Sequence, residues 1–337
     1  MLHRPPRRPE ARLRAVAAPA NPGFPTSARR AWRRQVATVA TIAASSIAAT
    51  VLLSLAGCAT PMAPVADFGQ AAAALATDYR PFVGGLAEAC EQRAGYRALS
   101  GPGPYDLAAA RREAARTCAP LREAARMAMS FSDALADYAG GLAHLAGTKD
   151  STFDTSLRGV GTAVEHVRGA DGSTLFPADS VAAADKLARA AAGLAMDRRT
   201  HAVTRAELEA NHAALTTVVQ AMSTVVTALY AGELRSTQDA MKLEYARLVA
   251  ASLAPQQADV ASRLPWRWAQ QSALAELAAN EAAQRRVAAF GRAAQALVAA
   301  HAALIDRFDT LDGRGRLTAV SDFLDTVRAL RDGAASL

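Results

Sequence analysis

Glu209 and His212 stand three residues apart in an apolar, alanine-rich stretch. On a helix, positions i and i+3 project from one face, and Glu-x-x-His is the spacing with which a four-helix bundle holds a di-iron carboxylate centre. Such a centre needs a second copy of the pattern and two further glutamates. None of His144, His166, His201 or His301 has a glutamate three residues before it, so the single occurrence reads as chance. His201 and His212 share a helix face but lie about 16 Å apart along it, too far to ligate one ion. His301 falls on an apolar seam with Leu297, Leu304 and Ile305. There it reads as a core histidine with a hydrogen-bond partner, the alternatives being a pH switch or a haem or metal ligand.

Other catalytic and cofactor patterns fail on spacing. Gly159-Val160-Gly161 has Val164 where a dinucleotide fingerprint needs its third glycine, and no strand precedes it. Asp306, Asp309 and Asp312 have the wrong spacing for a calcium-binding loop and lack its terminal glutamate. They read as a helix end running into the Gly313–Gly315 turn. There is no Gly-Lys-Ser/Thr loop and no Gly-x-Ser-x-Gly elbow. No enzyme and no cofactor is expected. The segment that stands out is Pro265-Trp266-Arg267-Trp268. Positions 266 and 268 point about 200° apart on a helix, so at most one tryptophan faces the core comfortably. The other is a candidate partner-binding anchor together with Arg267, since Trp and Arg are enriched in binding hot spots. It could equally sit at lipid headgroup level, and the bland alternative is that both tryptophans pack around the end of a bundle.

The elements that would position these residues are helical throughout. From residue 66 onward the chain is alanine-rich, aromatic-poor and without sustained strand alternation, which predicts an all-α fold. A first helix is expected over 66–99, with Pro81 and Gly84-Gly85 as kinks, before the break at Ser100-Gly101-Pro102-Gly103-Pro104. A second runs over 106–146 with Asp106 as N-cap and Pro120 kinking or splitting it. Shorter helices are expected over 154–167 and 179–197. Two long helices follow. Leu208, Leu215, Met222 and Leu229 recur every seven residues in one, and Phe290, Leu297, Leu304 and Leu311 in the other. Sustained heptads mean packing along the whole length, so an elongated antiparallel helical bundle is the expected architecture. Pro255 and Pro265 bracket the expected turn between the long helices. The polar run 233–239 is expected as a hydrated pocket, a kink or an exposed turn. A last helix over 317–331 is expected as a lid, and a subdivision of the bundle near 148–178 is the alternative to one domain.

The leader has its own pattern. Arg29, Arg30, Arg33 and Arg34 precede an uncharged run from Gln35 to Gly57, which ends in Leu55-Ala56-Gly57-Cys58. A basic region, an apolar run and small residues before a cut are the marks of an export signal; a retained membrane-spanning helix is the alternative. Leu55-Ala56-Gly57-Cys58 resembles the lipobox of bacterial lipoproteins, cut before the cysteine by signal peptidase II. The resemblance covers residues 29–58 alone. It implies a signal peptide over 1–57, lipid on Cys58 and a tether over 58–65, followed by the helical domain from 66 to 337. Ala59, where lipoproteins kept in the inner membrane often carry Asp, implies the outer membrane, facing the periplasm.

That division changes the charge argument. The whole chain carries a formal +7, but nine arginines and one glutamate precede Cys58. Residues 58–337 hold 29 basic and 30 acidic side chains, so nucleic acid is not an expected partner. With Cys58 acylated, Cys90 and Cys118 remain as an even pair in an oxidising compartment, where a disulfide is favoured over two free thiols. Without a Cys-x-x-Cys the pair reads as structural. The expected function is a non-enzymatic, outer-membrane-anchored lipoprotein that binds another envelope protein as adaptor, scaffold or immunity-type inhibitor. The rival is a bundle that holds a small molecule, metal or haem through His301 or His212.

Overall fold

Pro81 and the Gly84-Gly85 pair do not interrupt the first helix. α1 runs from Ala63 to Leu99 without a break. It starts three residues ahead of the expected position because Pro64 occupies its first turn, where a missing N–H costs nothing. Met62, Pro64 and Val65 are buried, so this end of the expected tether belongs to the core instead.

The computed structural model describes residues 62–101, 104–146, 176–196, 201–253, 260–310 and 317–335. All belong to one compact unit, residues 58–337. The fold is all-α, and no strand occurs among the described residues. α2 (Leu107–Thr117) and α3 (Ala119–Leu145) are separated at Cys118, with Pro120 in the first turn of α3. Asp106 caps α2, accepting the N–H groups of Ala108 and Ala109 at 2.8 and 3.0 Å. α4 spans Ala178–Met196 and α5 His201–Thr224. A π turn, Val225–Tyr230, joins α5 to α6 (Ala231–Leu253). α7 spans Val260–Arg307, and α8 spans Thr318–Ala335. The helix expected over 154–167, the Gly159-Val160-Gly161 motif, Pro255 and Leu311 lie outside the described residues.

α1 is the central element, in contact with α3, α6, α7 and α8. Its closest approach is to α3. A Cβ placed on Gly69 would stand 2.6 Å from the Ala139 carbonyl oxygen and 2.9 Å from the Ala143 nitrogen, so only glycine lets the two backbones meet there. Ser132, fully buried in α3, donates its hydroxyl to the Ala76 carbonyl at 2.7 Å and fixes the register of the same pair. Phe68, Leu75, Tyr79 and Leu86 of α1 share one core with Phe131, Leu135 and Leu142 of α3. Phe290, Leu297 and Leu304 of α7 are completely buried in it, as their seven-residue spacing predicts. α8 packs along α7 and α1 through Val320, Phe323 and Val327, and Arg331 pairs with Asp78 at 2.8 Å.

Two features depart from the sequence pattern. Pro265 does not start a helix. α7 begins at Val260, which places Trp266-Arg267-Trp268 inside the helix, not at its N-terminus. The other departure is the π turn. Leu208, Leu215 and Met222 are buried on schedule, but the next heptad residue, Leu229, is 37% exposed. A π turn accommodates one extra residue, so the inward seam continues at Tyr230, Thr237 and Glu244, each one place late. Leu243, where the strict repeat would fall, is 54% exposed. The polar run 233–239 is therefore helix and not a turn, with Glu233 and Thr237 toward α1, Leu234 and Gln238 bonded from α7, and Arg235 and Asp239 exposed. Thr237 is fully buried and donates to the Ala89 carbonyl at 2.8 Å, and Glu233 pairs with Arg93 at 3.1 Å. By length and composition Ala202–Ala250 and Leu264–Thr310 could each cross a membrane. Their seams are instead occupied by the core just described.

Candidate functional site

Two places gather chemistry. The first is a row of three side chains, Tyr138 on α3, His301 on α7 and His212 on α5. His301 is fully buried, as its seam position predicts. Its Nε2 lies 3.2 Å from the Tyr138 hydroxyl, and its Nδ1 lies 3.0 Å from Nδ1 of His212. The imidazole centres are 5.2 Å apart and the planes 12° apart. That separation nearly equals the N···N distance plus one ring radius at each side. The rings therefore meet edge to edge, nearly coplanar, in a nitrogen-to-nitrogen hydrogen bond. Phe68 closes one side of His301, with ring centres 5.4 Å apart.

Two proton arrangements satisfy this row. Tyr138 donates to Nε2 while His301 donates through Nδ1 to His212, or both bonds run the other way. Either keeps His301 neutral. Burial, with the neighbouring His212 as second cause, lowers its pKa to about 3. Burial, reinforced by Glu207, pushes the Tyr138 hydroxyl well above its ordinary range. Glu209, the other half of the Glu-x-x-His spacing, turns away to Arg205 at 2.8 Å, and Arg205 also bonds Asp309. No group of three His, Cys, Asp or Glu side chains suited to a metal occurs among the described residues. The two histidines bond each other through Nδ1, and neither lines the clefts that the described residues form along α1, α5, α6 and α7.

The second place is a cleft bounded by α1, α6 and α7. It has a volume of about 650 Å³ and is lined by Tyr96 and Leu99 of α1, Glu244 and Tyr245 of α6, and Trp266 and Glu276 of α7. Met241 and Glu276 also line an adjoining pocket of about 210 Å³ floored by Gly85, Tyr230 and Asn280. The one-residue shift at the π turn brings Tyr230 and Glu244 to this side. A Cβ on Gly85 would fall 3.0 Å from the Tyr230 ring, which is why α1 carries a glycine there. Ser100 donates its hydroxyl to Glu244, which also holds Arg247 at 2.6 Å.

The sequence-selected tryptophans separate at this cleft. Trp266 is half-buried in its wall, whereas Trp268 is 71% exposed and Arg267 is exposed beside it. The two do not both pack around a bundle end. Leu99 lines the cleft, Leu264 and Trp268 share the opposite face of α7 one turn apart, and Leu243 and Leu274 are exposed on α6 and α7. These five are most of the large apolar side chains that the described residues expose.

Cys90 and Cys118 form a disulfide that ties the C-terminal end of α2 to α1, with Cα atoms 5.9 Å apart. Cys58 lies outside the described residues. No protein-family model, no curated protein and no solved structure matches the chain.

Proposed function

We propose that the chain is an exported lipoprotein, anchored through Cys58 in the outer membrane, that binds another envelope protein with the α6–α7 end of its helical domain. The observation that carries the reading is Trp268. A tryptophan left 71% exposed on a regular helix gives up most of the stabilisation that its burial would provide. With Leu264 one turn earlier on the same face of α7, it offers an aromatic and an aliphatic anchor of the kind from which interface hot spots are made. The lipobox resemblance supplies the compartment, and the disulfide between Cys90 and Cys118 suits an oxidising one. The near-neutral balance of residues 58–337 fits a protein partner better than nucleic acid. Catalysis is not part of the proposal: Tyr138 and His301 are fully buried, and neither they nor His212 line the cleft beside Trp266.

The test is a photo-crosslinking amino acid at the exposed position 267 in intact cells, with a second at the exposed position 242 of α6 as comparison. One protein captured in near-stoichiometric amount from 267, and lost in Trp268→Ala, supports the reading. Equal, diffuse capture from both positions contradicts it.

A further inference from the structure

We propose that the cleft between α1, α6 and α7 is a binding site for an organic cation with an apolar body, an alkyl- or arylammonium, whose charge lies against Glu276. This goes beyond the protein-docking reading and does not depend on it, since it uses the cleft-lining residues Tyr96, Tyr245, Trp266 and Glu276 and not Trp268.

The chain is poor in aromatic residues, 5% overall, yet each of the three helices contributes a ring to this cleft: Tyr96 from α1, Tyr245 from α6 and Trp266 from α7. The adjoining pocket adds Tyr230. Four of the eight tyrosines and tryptophans in residues 58–337 thus line one connected space. The faces of such rings attract cations, most strongly when the cation is poorly hydrated, as a substituted ammonium is.

The carboxylates supply the second half of the argument. Glu244 is already neutralised by Arg247. Glu276 is different: its partners are hydroxyls, Tyr96 on one oxygen and Ser272 at 3.3 Å on the other. Hydroxyl donors orient a carboxylate without cancelling its charge, and no basic side chain among the described residues forms an ion pair with Glu276. Glu276 is solvent-exposed and lines both the larger cleft and the smaller pocket, so the two hydroxyls hold its carboxylate at the rim where the aromatic-lined spaces meet. A volume of about 650 Å³ falls within the range of small-molecule sites.

The chemistry disfavours the other ligand classes. Arg247, the basic side chain of the lining, is taken up by Glu244, so an anion would meet the uncompensated Glu276, and a neutral apolar molecule would cover the Glu276 charge without replacing its water. A hard metal ion needs six or more oxygen ligands, and the wall offers mostly carbon around one free carboxylate.

The test is calorimetric titration of the intact lipidated protein, in nonionic detergent, with benzyltrimethylammonium. Benzyl alcohol and phenylacetate serve as neutral and anionic controls of similar size. Saturable binding of the cation is expected, with each control at least about tenfold weaker, a difference of about 1.4 kcal/mol. Glu276→Gln keeps the shape and both hydroxyl partners, so it is expected to fold normally and to weaken the cation about tenfold while leaving benzyl alcohol unchanged. Trp268→Ala is expected to leave the cation's affinity as it was, which separates this site from the protein-docking surface. Equal affinity for cation and alcohol, no effect of Glu276→Gln, or no saturable binding below about 10 mM would overturn the proposal.

Discussion

Replacing His301 with glutamine is expected to flatten the acid side of the stability profile. Burial and the neighbouring His212 lower the pKa of His301 from 6.5 to about 3 in the folded protein. In the unfolded chain the same imidazole is in water and takes up its proton near the ordinary value. Between those two values the unfolded state binds more protons than the folded one, so stability falls as the pH falls. Above the unfolded pKa the effect vanishes, and it is complete at the folded pKa. Each pH unit inside that window is worth about 1.4 kcal/mol, and the integral from about pH 7 to about pH 5 is about 2 kcal/mol. The groups that face His301 are Tyr138, neutral across this range, and His212, with Glu207 acting through Tyr138. Urea unfolding followed by circular dichroism at both pH values gives the comparison directly. His301→Gln is expected to lose about 1–3 kcal/mol at neutral pH, from the disturbed hydrogen bonds to Tyr138 and His212. Its further loss on acidification should be about 2 kcal/mol smaller than that of the unaltered protein. An identical acid loss in both proteins would refute the reasoning, because it would mean that His301 titrates normally in the fold.

Gly69→Ala puts a methyl group against the backbone of α3 at Ala139 and Ala143. It is expected to cost about 1–3 kcal/mol and to appear as a lower urea midpoint with unchanged slope. Cys90→Ser removes the clasp on α2, a helix in which Ala114 is the only buried residue among Leu107–Thr117. A loss of about 2–4 kcal/mol is expected, with limited proteolysis cutting first within 107–117. Trp268→Ala is expected to change stability by less than about 0.5 kcal/mol, since the side chain is largely in solvent, while abolishing partner capture.

What could be read from the chain beforehand follows from the range of the interactions involved. Asp106 as a cap, Pro120 as a divider and the buried Phe290, Leu297 and Leu304 are consequences of local chemistry and a fixed period. The heptad reading failed at one point for a physical reason. The π turn at Val225–Tyr230 inserts a single residue at the end of an apolar stretch, so the repeat still looks regular as far as Leu229 while the buried face rotates. That error hid Tyr230 and Glu244, which lie one place after positions that the repeat would have buried. Pro265 was misplaced because a proline in the second turn of a helix looks the same in sequence as one at its start. The hydrogen-bond partner expected for His301 was there, but Tyr138 lies 163 residues earlier and no spacing rule connects them. Glu276 and Tyr96 are 180 residues apart, and each alone resembles an ordinary solvated side chain. Only the packing of α1 against α7 makes them a pair.

The lipid anchor is tested most directly by the N-terminal peptide of the protein isolated from the cell envelope. Mass spectrometry should show that residues 1–57 are gone and that the chain begins at Cys58 with a diacylglyceryl group on sulfur. It should also fractionate with the outer membrane, and Cys58→Ser should leave it uncleaved and unlipidated. An envelope protein that retains residues 1–57, or that carries Cys58 without lipid, would contradict the anchored-lipoprotein account.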